Sequence, residues 1–255
     1  MNAVAHPDLS GQHVFITGAA RGLGRSMAEK LAGCGATVAV TDVDARGCEA
    51  VARGICAAGG TAIAYCVDVA LREQFMDAAA RFAEACGRID AVVNNAMLLR
   101  YEPVEKISAE TLNRMTSIGI NGSIWGAQAL LAHYDAARGG AIVNMASPVA
   151  EKGFPNTAAY SLVKGAIVTL TKVLAAELGP RNVRVNAIAP GSVPTPGALG
   201  LNDQAEYERR ARTIPLRRLG REQDNAEACA FLLSGAASFI NGEVLHVDGG
   251  IAAAG

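Results

Sequence analysis

His13-Val14-Phe15-Ile16-Thr17-Gly18-Ala19-Ala20-Arg21-Gly22-Leu23-Gly24 is the stretch on which the reading of this chain turns. The run His13–Thr17 is β-branched and aromatic and reads as a strand, whereas helical spacing sets in from Arg25 to Ala32. The residues between them are rich in glycine. Glycine lets the backbone turn sharply and approach a ligand closely, and the helix behind the turn offers unpaired N–H groups and a positive dipole end. A Gly-rich turn alone is weak evidence. Placed after a first strand and before a first helix, it has the form of a pyrophosphate-binding turn.

Working outward, the same alternation repeats. Strand-like runs fall at His13–Thr17, Thr37–Thr41, Ala62–Val67, Ala91–Asn94, Ala141–Met145, Arg184–Ala189 and Glu243–Val247. Helical spacing occupies Arg25–Ala32, Ala45–Ala57, Arg72–Ala85, Ala109–Ala132, Ala158–Leu178 and Asn225–Leu233. The strands are apolar throughout, as expected where both faces of a sheet are covered. The pattern predicts an α/β doubly wound fold of the Rossmann kind, a seven-stranded parallel sheet flanked by helices on both faces. No linker or internal repeat divides the chain, so residues 1–255 read as a single domain. One stretch, 192–220, breaks the rhythm with Pro, Gly and charge, with a short helix expected around Asn202–Arg212. Its position after a strand end predicts a substrate loop or lid.

Composition narrows the function classes. Half the residues are apolar, 18% are charged and the formal charge is −1, which argues against a nucleic-acid partner. No apolar run reaches the roughly 18 residues of a membrane span. The first twelve residues lack the basic-then-apolar form of a secretory signal, so a cytoplasmic location is expected. The six cysteines form no Cys-x-x-Cys pair and no metal-ligand spacing with the four histidines, which predicts buried reduced thiols and no metal.

Three positions carry chemistry. The second strand ends on Asp42, 24 residues beyond Gly18, where a carboxylate can accept both hydroxyls of an adenosine ribose and repel a 2′-phosphate. Asp42 therefore points to NAD rather than NADP, although Arg21 in the turn could serve a 2′-phosphate. Tyr160 and Lys164 are four residues apart in a helical segment and share a face. A neighbouring ammonium and a positive nicotinamide are expected to lower the tyrosine pKa from its usual value near 10, making it a general acid/base. Ser147 follows the strand Ala141–Met145 and can hydrogen-bond the same substrate oxygen.

Taken together these pieces resemble the short-chain dehydrogenase/reductase superfamily, of the single-domain kind, over nearly the whole chain. The likeness rests on Thr17–Gly24, Asp68-Val69, Asn94-Asn95-Ala96, Ser147, Tyr160-Ser161-Leu162-Val163-Lys164, Asn186–Gly191 and His246-Val247-Asp248-Gly249-Gly250. The resemblance implies that Gly18, Arg21, Gly22, Leu23 and Gly24 cradle the phosphates and that Asp42 holds the ribose. It also implies adenine contacts at Asp68 and Val69, and a wall beside the adenine ribose from Asn95 and Ala96. Lys164 would bind the nicotinamide ribose, and Pro190, Gly191, Val193 and Thr195 would fix the carboxamide. Ser147, Tyr160 and Lys164 would be catalytic, and a homotetramer is the implied assembly. The alternative is a non-catalytic NAD(H)-binding sensor or regulatory protein of the same fold.

Two departures stand out. Met97 follows Asn94-Asn95-Ala96 where the family has glycine. Gly119 occupies the position of the family's relay asparagine, with Asn121 two residues on. Residues two apart on a helix point about 200° apart, so Asn121 can substitute only across a local bulge. Leu98, Leu99, Val149, Phe154, Pro155 and the Pro194–Tyr207 loop are expected around a small, largely apolar substrate. Arg209, Arg210, Arg212, Arg217 and Arg218 read first as solvated surface.

Overall fold

Successive residues of the first strand face opposite sides of one sheet, and that alternation organises the molecule. The computed structural model describes residues 7–198 and 204–254. Seven strands, β1 (His13–Thr17), β2 (Thr37–Asp42), β3 (Thr61–Cys66), β4 (Ala91–Asn94), β5 (Gly140–Met145), β6 (Val183–Pro190) and β7 (Val244–Val247), pair in parallel in the order β3-β2-β1-β4-β5-β6-β7. The chain winds outward from β1 to β3, then returns to place β4 on the other side of β1. That reversal leaves a crevice at the carboxyl ends of β1 and β4, where ligands bind in such sheets.

Val14 and Ile16 face one side with Val38 and Val40, packing on α1 (Gly22–Gly33), α2 (Ala45–Ala57) and α8 (Glu222–Leu233). Phe15 faces the other with Val92, packing on α3 (Arg72–Cys86), α5 (Gly122–His133) and α6 (Ala158–Leu178). Phe15, Phe75 and Phe82 are fully buried there, each worth about 1.5–3 kcal/mol of transfer free energy. A polar ladder crosses this second layer below the crevice. Asn94 Nδ2 donates to Asn144 Oδ1 at 2.9 Å, and Asn144 Nδ2 donates to Thr171 Oγ1 at 3.0 Å, tying β4, β5 and α6 together.

The continuous helix expected over Ala109–Ala132 is broken. It comprises α4 (Ala109–Thr116), a wide π-type turn over Ser117–Asn121, and then α5. Side-chain hydroxyls bond back to the backbone on both sides of the break, Thr116 Oγ1 to Leu112 O at 2.8 Å and Ser123 Oγ to Gly119 O at 2.7 Å. Such back-bonds, beside two glycines, loosen the regular ladder. α8 begins three residues before its expected start because Asp224 reaches back to accept the Arg221 N–H at 2.8 Å. α7 (Gln204–Thr213) supplies the short helix expected near 202–212, and residues 199–203 of that stretch lie outside the described ones. Six free cysteines are present, but Cys56 and Cys66 are exposed, correcting the expectation that all are buried. Cys56 lies in the last turn of α2 and Cys66 ends the edge strand β3. Among the described residues no helix is long and apolar enough to cross a membrane.

Candidate active site

The crevice is a cleft of about 460 Å³ at the carboxyl ends of the strands, and every residue singled out above as catalytic or cofactor-binding lines it. At one end the Gly18–Gly24 turn is set by close packing. Gly18 has φ +66°, and a Cβ there would lie 2.8 Å from Ala96 Cα; one on Gly24 would lie 2.1 Å from Gly18 O. Asn95 is more than a wall: its Nδ2 donates to Thr17 O and Gly18 O, both at 2.9 Å, tying the turn to the end of β4. Thr17, which was given no role of its own from the sequence, accepts from the Asn95 and Ala96 N–H groups at 3.0 and 3.1 Å.

Helix α1 begins with no side-chain cap and no acidic residue in its first turn. Its leading N–H groups are therefore left to a ligand, and an anionic pyrophosphate fits them. Asp42 closes this end. Its Oδ2 accepts the Ala20 N–H at 3.3 Å and its Oδ1 accepts the Asp44 N–H at 3.2 Å, so the carboxylate is held beside the turn. Asp68 is ion-paired with Arg114 at 2.8 Å, a partner on α4 that sequence reasoning did not name.

At the other end α6 presents Tyr160 and Lys164, and Ser147 stands just past β5. Lys164 is buried; its Nζ donates to Met145 O at 2.5 Å and lies 5.6 Å from the centre of the Tyr160 ring. Burial lowers its pKa to about 8. Burial raises the Tyr160 phenol well above its usual value, Tyr101 adds to the rise, and a hydrogen bond from Ser147 opposes it. The expectation of a lowered tyrosine is thus not met by the protein's own groups. The ammonium lies over the ring and is spent on a carbonyl, while desolvation dominates.

Behind these residues the two sequence departures meet. Gly119 is buried and faces α6. A Cβ on it would lie 2.4 Å from Val163 Cγ1 and 3.0 Å from Met97 Sδ. Met97 packs with Met115, Val163 and Tyr160, so a thioether fills space next to a position with no side chain. The turn that could have rotated Asn121 inward is present, yet it is Gly119 that faces Val163, and Asn121 does not line the cleft.

Leu98, Leu99, Val193, Ala198 and Tyr207 line the cleft, as do Tyr101 and Arg210, which were not expected to. Tyr101 sits edge-on to Tyr160 with ring centres 5.7 Å apart. Val149 and Phe154 do not reach this cleft: they line a separate surface groove with Val104 and Glu105, because the turn Pro148–Ala150 carries the chain away from Ser147. Pro155 lines neither. Among the described residues no three His, Cys, Asp or Glu side chains gather to hold a metal.

Comparison with known proteins identifies the family. Residues 18–252 match a family model described as enoyl-(acyl carrier protein) reductase. The chain is 37% identical to D-threitol dehydrogenase of Mycolicibacterium smegmatis, covering 95% of this chain and 93% of that one. It superposes with a TM-score of 0.92 on a 7 alpha-hydroxysteroid dehydrogenase complexed with NADH and 7-oxo glycochenodeoxycholic acid, at 31% identity and 95% coverage of each chain. The TM-score is again 0.92 for a gluconate 5-dehydrogenase from Burkholderia cenocepacia J2315 in complex with NADP and tartrate, at 32% identity, covering 97% of this chain and 98% of that one. With its parallel seven-stranded sheet and these relatives along its length, the chain belongs to the short-chain dehydrogenase/reductase family and is an oxidoreductase.

Proposed function

We propose that this protein is an NAD(H)-dependent oxidoreductase acting on a secondary alcohol or the corresponding carbonyl compound, with Tyr160 as general acid/base. The observation that carries the proposal is the convergence of Ser147, Tyr160 and Lys164 at one end of a cleft whose other end is closed by Asp42. A nicotinamide cofactor held in this cleft would supply the acceptor or donor of hydride for the substrate carbon. The chain supplies everything else. The Gly18–Gly24 turn and the uncapped start of α1 receive the phosphates, with Arg21 and Leu23 at their rim. Asp68, Val69, Asn95 and Ala96 flank the adenosine half. Pro190, Gly191, Val193 and Thr195 flank the nicotinamide half.

In the oxidative direction Tyr160 takes the proton from the alcohol oxygen as the C–O bond becomes a carbonyl. In the reductive direction it returns that proton. Ser147 hydrogen-bonds the same oxygen and holds it at the phenol. Lys164 is the cation the chain places against the ring, held there by Met145 O, and it would bind the nicotinamide ribose. Neutral buried tyrosine is the stable form, so the reductive step starts from a proton already in place.

Asp42 carries the choice of NAD, since the relatives include complexes with NADH and with NADP. A carboxylate held by two backbone N–H groups cannot easily swing away from a 2′-phosphate. The segment 192–220, with α7 over the cleft, acts as the substrate lid within a single catalytic domain. A cytoplasmic homotetramer is the working form, supported by Leu162 and Val173, exposed apolar residues on α6. The test is a panel of secondary alcohols and ketones assayed with NAD(H) and NADP(H). Turnover with NAD(H), lost in Tyr160→Phe, is expected; equal turnover with NADP(H) would overturn the cofactor assignment.

A further inference from the structure

Five arginines lie between residues 209 and 218, and the structure sorts them. Arg209, Arg212, Arg217 and Arg218 are exposed; Arg209 pairs with Glu206 and Arg218 with Asp224. Arg210 alone among the five lines the cleft. Its guanidinium is oriented from two sides. Nε donates to Glu206 Oε1 at 2.7 Å, one helical turn back, and Nη1 reaches Ser192 Oγ, just past β6, at 3.5 Å. Tyr207, on the same face of α7, is buried and its hydroxyl donates to Ala198 O at 3.1 Å, which fixes the helix over the cleft.

This cation stands close to the reacting end. It acts electrostatically on the Tyr101 phenol, and the Tyr101 ring is the one packed edge-on against Tyr160. The other charged groups lining the cleft are placed differently. Arg21, Asp42, Asp68 and Arg114 surround the β1–β3 end, where Arg114 is matched by Asp68, and Lys164 lies beneath Tyr160. Glu206 is shared by Arg209 and Arg210, so those three side chains together keep a positive charge. The substrate chamber is thus apolar along Leu98, Leu99 and Val193 and ends at one oriented guanidinium.

We propose that the substrate is a hydroxy or oxo compound bearing a carboxylate, bound with that carboxylate on Arg210 and its reacting oxygen at Tyr160. This rests on the redox reading given above. A guanidinium presents paired N–H donors whose geometry matches a carboxylate, and a half-dry cleft strengthens the pair. Arg210 adds that recognition without touching the cofactor end, so it sets specificity and takes no part in the proton transfer.

The test pairs a series of oxo acids of increasing chain length with their methyl esters. Each is assayed with NADH in the wild type, Arg210→Gln, Arg210→Lys and the exposed-site control Arg212→Gln. The wild type is expected to prefer acids. Arg210→Gln should lower kcat/KM for acids by about 10- to 100-fold, the size of a lost charge-assisted hydrogen bond, mainly through KM. Esters should be unaffected, Arg210→Lys should recover part of the loss, and Arg212→Gln should keep the acid preference. In parallel, non-reacting carboxylates are titrated against each NADH-loaded protein by fluorescence. If esters turn over as well as acids, or Arg210→Gln lowers both alike, the carboxylate proposal fails and the redox reading stands. If nothing turns over but carboxylates bind in an Arg210-dependent way, the anion site stands and the redox reading fails. Neither turnover nor Arg210-dependent binding overturns both.

Discussion

The two ends of the cleft are built from different materials. At the end near β1 and β2 the surface is mostly backbone: glycines packed against Ala96 and Gly18 O, Asn95 tying the turn to β4, and a helix start with no cap of its own. At the end near α6 the surface is side chains: Tyr160, Tyr101, Met97 and Arg210, from elements far apart in sequence. A backbone-defined site tolerates few substitutions and accepts one kind of ligand. A side-chain-defined site can be retuned residue by residue, which is how one fold serves many substrates.

The sharpest way to break this comparison is to add a methyl group to each end. Gly24→Ala places a Cβ 2.1 Å from Gly18 O, a clash with backbone that nothing can relieve. The expected cost is about 3 kcal/mol, at the upper end of overpacking penalties, with NADH binding lost; thermal melting and an NADH titration check it. Gly119→Ala meets side-chain atoms instead, Val163 Cγ1 and Met97 Sδ, and should cost about 2 kcal/mol. Pairing it with Val163→Ala should return part of that, a non-additivity above about 0.5 kcal/mol in denaturant melts. A strictly additive pair would mean the two positions do not share that space.

A smaller effect sharpens the cofactor end. Removing the carboxylate in Asp42→Ala should narrow the preference for NADH over NADPH by roughly tenfold, about 1.4 kcal/mol, read from paired Kd values. The smallest is a slope. Burial lowers Lys164 from 10.5 to about 8, so the charged form costs stability in the folded cofactor-free protein below about pH 8. That cost disappears as pH rises through the window from about 8 to 10.5, because the unfolded chain then binds the proton more tightly than the folded one. Lys164→Met removes the titration. The stability of the wild type relative to this variant should therefore increase across that window in urea melts at stepped pH, and a constant difference would contradict the buried placement.

The same division explains what the sequence disclosed. Strand periodicity and the Gly18–Gly24 turn are local signals, so the strands, their parallel pairing and the grouping of that turn with Asp42 at a strand-end cleft were legible in the sequence alone. The break at Ser117–Asn121 was not, because it depends on hydroxyl back-bonds and on packing against α6 rather than on composition. Tyr101 and Arg210 were missed as cleft residues because the chain paths after β4 and β6 bring Tyr101 against Tyr160 and Arg210 to the cleft wall, and no spacing in the sequence encodes that approach. Val149 and Phe154 were placed at the substrate by nearness to Ser147 in sequence, and the turn at Pro148 sends them elsewhere. The rise of the Tyr160 pKa follows from desolvation, which a four-residue spacing to Lys164 cannot reveal.

Tyr160 stands at the side-chain end, and the most direct measurement compares wild type with Tyr160→Phe for NADH binding and carbonyl reduction in the same preparation. The account predicts that NADH binding is retained while turnover falls by about 10²- to 10⁴-fold, the usual contribution of a general acid. Turnover at the wild-type rate in Tyr160→Phe, or a wild type that binds NADH and reduces no carbonyl compound, would contradict it.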